Sequence, residues 1–176
     1  RTGVGAEDPL NGLGETFRVA GREQRHMGVE FEALGELYEG LNIVATYSYQ
    51  DAEITKDITF PDVVGNDVAH VPHHLGSALI QYQFLSGAMQ GLSANIGFNY
   101  YGSYFHRTDD AFRFLVPERH TFDAGIAYEI NENVNLNVSI TNFTDEVNIF
   151  TSTGVRYSEF FFEDPRTVKA RIQVAF

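Results

Sequence analysis

The sequence predicts an all-β protein, an antiparallel up-and-down meander of about seven strands. Three observations predict it. Apolar and polar residues alternate with period two along most of the 176 residues, which gives each extended segment one apolar and one polar face. The connections between segments are alternately short and long. No run reaches the roughly 18 consecutive apolar residues of a membrane helix, and helical spacing fits the apolar positions badly.

Taken in chain order, residues 1–24 carry only a weak alternation at Phe17 and Val19 and are expected to be loop. Val29, Phe31, Ala33 and Leu37 then oppose Glu30, Glu32 and Glu36. Ile43, Ala45, Tyr47 and Tyr49 oppose Asn42, Thr46, Ser48 and Gln50, with Val44 as an exception. Ala78, Ile80, Tyr82 and Phe84 oppose Ser77, Gln81 and Gln83, with Leu79 as another. Leu92, Ala94, Ile96, Phe98 and Tyr100 face away from Ser93, Asn95, Gly97 and Asn99. Phe122 to Ile130, Val134 to Ile140 and Val168 to Phe176 repeat the pattern and complete the seven. Short turns fall near Gly40, near Gly87 and at Asn131-Glu132-Asn133, and long loops span about 54–73, 105–119 and 142–165.

Asp+Glu is 24 against Lys+Arg 12, a net charge of −12, which argues against a duplex nucleic-acid binder. Cysteine is absent, so neither disulfides nor thiolate metal sites are expected. The chain starts at Arg1 with no apolar signal segment after it, so it is expected to have been processed, trimmed or cut from something longer.

Alternation alone fits two opposite proteins. A soluble barrel or sandwich turns its apolar face inward, whereas an outer-membrane barrel turns it to lipid. The aromatics decide. With strands running alternately down and up, Tyr82, Phe84, Tyr128 and Phe176 collect at the short-turn rim. Tyr47, Tyr49, Phe98, Tyr100, Tyr104 and Phe122 collect at the long-loop rim, with aliphatic residues between. Two interfaces of a bilayer select such girdles, and a soluble core has no reason to sort aromatics by height. The polar face is rich in Asn, Gln, Ser, Thr and Gly rather than Lys and Glu, as a wet lumen requires. Strands of about 9–11 residues suffice to cross the hydrocarbon when tilted. Seven strands alone would leave two open edges in lipid, which is not viable, so the meander is expected to be part of a larger transmembrane β-barrel.

Several motifs stand in a fixed order. They are Gly21-Arg22-Glu23-Gln24-Arg25-His26-Met27-Gly28-Val29-Glu30 behind Asp8-Pro9, Tyr47-Ser48-Tyr49-Gln50-Asp51-Ala52-Glu53, Val71-Pro72-His73-His74, Asn142-Phe143-Thr144-Asp145-Glu146, and Asp164-Pro165-Arg166-Thr167 with a terminal Phe176. This ordered set covers most of the chain and resembles the TonB-dependent outer-membrane receptors, the siderophore receptors of ferric-hydroxamate type most of all. The resemblance implies a barrel of about 22 strands with a plugged lumen, in which residues 1–176 are the C-terminal segment. The family's N-terminal plug domain and TonB-contacting segment have no counterpart here, so this chain is expected to supply barrel wall and three external loops. The implied function is TonB-dependent uptake of a metal–siderophore complex at the cell outer membrane. The implied partners are a ferric siderophore or similar bulky ligand, outer-membrane lipid, and the TonB system through the N-terminal part. The alternatives are a soluble β-barrel binding a small ligand and a passive outer-membrane porin.

Candidate site residues lie in the loops. Phe112, Phe114, Tyr157, Phe160, Phe161 and Phe162 are aromatics outside the girdles, and exposed aromatics mark binding surfaces, so these six are the expected ligand contacts. His70, His73 and His74 read as strand-start residues rather than a metal site, and Asp109, Asp110, Glu118, Glu159, Glu163 and Asp164 as solvated loop charge. Arg22 and Glu30 read as structural, Glu30 facing the lumen. No nucleophile-and-base set, zinc motif or phosphate loop is present, so neither enzymatic activity nor a cofactor is expected.

Overall fold

A computed structural model describes residues 2–7, 16–109, 113–153 and 159–176. Eight strands form one antiparallel sheet: β1 (Thr2–Glu7), β2 (Thr16–Tyr38), β3 (Leu41–Asp57), β4 (His74–Gln83), β5 (Leu92–Tyr101), β8 (Arg119–Asn131), β9 (Val134–Thr141) and β12 (Thr167–Val174). Their spatial order follows the chain, with β1 and β12 as the two edges. Two small hairpins, β6 (Tyr104–Phe105) with β7 (Leu115–Val116) and β10 (Ile149–Thr153) with β11 (Glu159–Phe162), are built into the long connections.

The seven long strands stand where the alternation places them, but three expectations need correction. Residues 1–24 are not all loop, because β1 pairs with the start of β2 through Val4↔Val19 and Ala6↔Phe17. Strands β2 and β3 run to 23 and 17 residues, well beyond the expected length, and pair out to Arg22↔Asp57. The backbone ladder needs no hydrophobic pattern where neither face meets lipid, so these extensions leave no trace in the alternation. Likewise the last long loop is not structureless: Ile149 pairs with Phe162 and Thr151 with Phe161.

Register turns the alternation of single strands into surfaces. One transverse row reads Gly35, Ile43, Ile80, Ile96, Ala124, Ile140 and Val168 across seven strands. A row of the other parity reads Glu32, Thr46, Ser77, Asn99 and Thr121. The two exceptions to the alternation, Val44 and Leu79, are register partners, and Leu34 flanks Val44 in the same row. They form one apolar strip on the polar face. The apolar face is uncovered: Ile80, Ile96, Ile126 and Ile172 are 40%, 46%, 52% and 69% exposed. A soluble barrel would bury this face. The buried apolar residues Ala52, Ile54, Val63, Tyr104 and Val116 lie instead toward the long-loop end.

Turn chemistry closes the short ends. Gly40 has φ 79° and a Cβ there would lie 2.5 Å from the Gln83 carbonyl oxygen, so the β2–β3 turn requires glycine. Its N–H donates to Glu36 Oε1 at 2.8 Å. Gly28, mid-strand, has the same steric demand, because its Cβ would meet the Tyr49 carbonyl oxygen at 2.4 Å. That close approach of β2 to β3 accounts for the glycine in the Gly28-Val29-Glu30 motif.

Candidate functional site

At the long-loop end the polar face bounds a cavity of about 730 Å³. Glu30, Glu32, Thr46, Ser77, Asn99 and Thr121 line it from five adjacent strands. One row crosses it: Glu30, Ser48, Leu75, Tyr101 and Arg119 are successive register partners from β2 to β8. A carboxylate therefore stands at one end and a guanidinium four strand spacings away, about 19 Å along the wall. Among the described residues Glu30 and Glu32 form no salt bridge, whereas Arg119 Nε donates to Glu163 Oε1 at 2.7 Å. Arg119 is 7% exposed. The Tyr101 ring centroid lies 3.8 Å from its Cζ and that of Phe150, from β10, 5.5 Å away.

Loops around this cavity are tied by specific side chains. Arg113 stacks on Phe105 with its Cζ 3.5 Å from the ring centroid and reaches Asp67 at 3.2 Å. Tyr104, expected in the outer girdle, is instead 5% exposed within this layer; its hydroxyl donates to the Phe150 carbonyl at 2.6 Å. The strand breaks after Tyr101, so Tyr104 no longer follows the parity of β5. Asn142, at φ 50°, is nine-tenths buried and acts as a hub. Its Nδ2 donates to the Glu146 carbonyl, its Oδ1 accepts from the Glu146 N–H, and its own N–H donates to Asp123 Oδ1. Asparagine tolerates the left-handed conformation and supplies both donor and acceptor, which explains its place at the head of the Asn142–Glu146 motif.

Of the six expected contact residues, Phe112 and Tyr157 lie outside the described residues. Phe114 and Phe160 are brought together, edge to face at 5.3 Å. Phe161 and Phe162 remain 47% and 60% exposed on β11. Of the acidic loop residues, Glu118, Glu159 and Asp164 are exposed, Asp109 and Glu163 are partly buried, and Asp110 lies outside the described residues. Asp109 pairs with Arg107, Glu163 with Arg119, and Glu118 accepts from the Tyr100 hydroxyl at 2.6 Å. The Arg107 guanidinium holds the Asp109 carboxyl below its ordinary range. Asp57 is also held low, chiefly by the Phe60 amide, with Thr59 and Arg22 assisting. Arg22 of the motif is thus structural, as expected.

The histidine run does not converge. His73 donates from Nδ1 to the Gln50 carbonyl at 3.0 Å, His74 meets the Tyr47 hydroxyl at 2.8 Å, and His70 packs on Tyr104. Among the described residues no three His, Asp or Glu side chains are grouped to hold a metal ion. Arg119, Tyr101, Glu163 and Phe150 were not legible as a site. They lie on four different strands or their ends, and only register and loop folding unite them.

Comparison with known proteins agrees with this architecture. Residues 2–143 match the family described as TonB dependent receptor-like, beta-barrel. The chain is 38% identical over 117 residues to the ferrichrome outer membrane transporter/phage receptor of Escherichia coli, covering 66% of this chain and 15% of that protein. It is 32% identical over 138 residues to the metal-pseudopaline receptor CntO of Pseudomonas aeruginosa, covering 78% of this chain and 19% of the relative. The chain thus spans less than a fifth of either relative. Among solved structures, the ferric yersiniabactin uptake receptor FyuA from Yersinia pestis superposes with a TM-score of 0.79 at 18% identity, over 91% of this chain and 25% of that one. The ferric preacinetobactin receptor BauA from Acinetobacter baumannii gives 0.77 at 19%, over 98% of this chain and 25% of that one. The meander is part of a larger barrel of this kind, and the chain belongs to the TonB-dependent receptor β-barrel family.

Proposed function

We propose that this chain is the C-terminal barrel segment of an outer-membrane receptor that takes up a metal–siderophore complex. One observation carries the reading: a wall with an uncovered apolar face bounds, on its polar face, a cavity lined by polar and aromatic side chains, Asn99, Tyr101 and Arg119 among them. Lipid covers the outer face and a bulky, partly apolar complex suits the inner mouth. The relatives named for ferrichrome and metal-pseudopaline support that cargo class. Energy coupling through TonB and the plug belongs to polypeptide outside residues 1–176. The receptor binds and passes its cargo without covalent chemistry, and its acidity keeps it from nucleic acid.

Ligand capture is assigned to the aromatic loop residues, with Phe114 and Phe160 as a packed base and Phe161, Phe162, Phe112 and Tyr157 as contacts. In the full-length receptor, Phe161→Ala or Tyr157→Ala should weaken binding of a ferric tris-hydroxamate complex by about 1 kcal/mol or more. The amount of receptor in the outer membrane should not change. Unaltered affinity with a falling membrane level would mean that these rings only pack the loops.

A further inference from the structure

We propose that Arg119 is an anchoring residue that binds an anionic oxygen of the cargo, an inference resting on the receptor reading above. Its side chain is more than nine-tenths buried at the cavity wall, yet Nη1 has no hydrogen-bond acceptor. A buried donor of a charged group without an acceptor is a standing cost, so the folded wall gains when an acceptor arrives. The group is held ready for one. Tyr101, its register partner on β5, lies against the guanidinium, and Glu163 holds Nε, fixing the plane and leaving Nη1 on the far edge covered from solvent but unfilled by any acceptor among the described residues. Phe150, from β10, stands over the guanidinium and is itself half exposed, so an incoming acceptor reaches Nη1 by displacing that ring from one side of the guanidinium.

The chemistry of the unfilled edge defines the ligand group. A planar guanidinium takes carboxylate, hydroxamate or catecholate oxygens, two at a time where geometry allows. The opposite end of the same row is Glu30, with Glu32 in the next row. A complex that is anionic all over is therefore disfavoured there. The wall selects cargo whose anionic oxygens are confined to one side and whose other side is neutral or cationic.

The test uses the full-length receptor and four iron complexes: a neutral ferric tris-hydroxamate, an amine-bearing cationic one, ferric citrate and an anionic ferric tris-catecholate. Arg119→Gln should weaken the best-bound complex by about tenfold or more, and Arg119→Lys should recover part of the loss. Glu163→Gln, which keeps an acceptor for Nε but removes the negative charge beside the guanidinium, should weaken binding far less than Arg119→Gln and shift the preference toward the anionic complexes. Equal losses in Arg119→Gln and Glu163→Gln would overturn the proposal, since Arg119 would then only tie down the hairpin. Should Arg119→Gln fail to reach the membrane, Arg119→Lys decides: unchanged affinity overturns the proposal and partial loss supports it. Binding unaffected by Arg119→Gln overturns this inference and leaves the receptor reading intact. Absence of binding of all four by the wild type overturns both.

Discussion

In the wall from β2 to β12, neighbouring strands meet residue for residue along long registers, and the side chains on each face need only be of the right kind. In the layer above, single side chains hold unlike segments together: Arg113 on Phe105, Tyr104 on the Phe150 carbonyl, Asn142 on Glu146 and Asp123. Among the described residues the buried apolar side chains of the wall are Ala52 and Ile54, on the extension of β3 beside the layer, and within the layer Tyr104 and Val116 are 5% and 0% exposed. On the receptor reading proposed above, the wall is a membrane structure, stabilised by lipid on one face and by backbone hydrogen bonds between strands. The layer is a small water-soluble structure, stabilised by its own packing.

This contrast makes graded predictions. The largest effect belongs to the lipid face. Ile172→Arg or Val138→Arg should cost roughly 2–4 kcal/mol and reduce assembly, because both residues sit mid-strand on the apolar parity. Asn137→Arg on the other parity should be far better tolerated. Equal costs for the two faces, measured by folding into lipid, would erase the distinction.

An intermediate effect belongs to the loop hub. Asn142→Ala removes both arms of a buried side chain and should cost about 1–3 kcal/mol. The loss should appear as faster hydrogen exchange at Glu146 while exchange in β4 and β5 is unchanged. Slowed exchange or a global loss would mean that wall and layer are one cooperative unit.

The smallest effect concerns acid. The Asp57 pKa lies below its ordinary 3.8 in the folded chain. Its stabilisation of the Thr59–Phe60 turn is therefore complete above 3.8 and disappears as pH falls through the lower folded value. Protection of the Thr59 and Phe60 amides, taken relative to their intrinsic exchange rates, should fall over that window in the wild type. In Asp57→Asn the protection should be lower than in the wild type at neutral pH and should not change across that window.

The same contrast explains what the sequence could disclose. A wall bathed by lipid on one side and water on the other must alternate, so Val134 to Ile140 and Val168 to Phe176 were readable residue by residue. Even its irregularities carried information, since Val44 and Leu79 turned out to be register partners. Where β2 and β3 rise past the membrane that constraint ends, and Thr16 to Gln24 passed for loop. Within the layer, contacts such as Arg119 with Tyr101, Phe150 and Glu163 depend on how three connections fold back, and no spacing encodes that. The aromatic loop residues stand out in the sequence as a group of apolar rings in polar loops, and their role as ligand contacts is the proposal made above. Their partners, such as Phe114 for Phe160, were not legible.

The central claim is that the sheet is inside-out, with its apolar parity facing lipid. Single cysteines test it most directly, since residues 1–176 contain none. Placed at Ala124, Ile126, Val138 and Ile140 of the full-length receptor in its membrane, they should resist a water-soluble thiol reagent. Cysteines at Asn137 and Ser139, between them on the same strand, should react faster. Uniform labelling, or faster reaction on the apolar parity, would contradict the account.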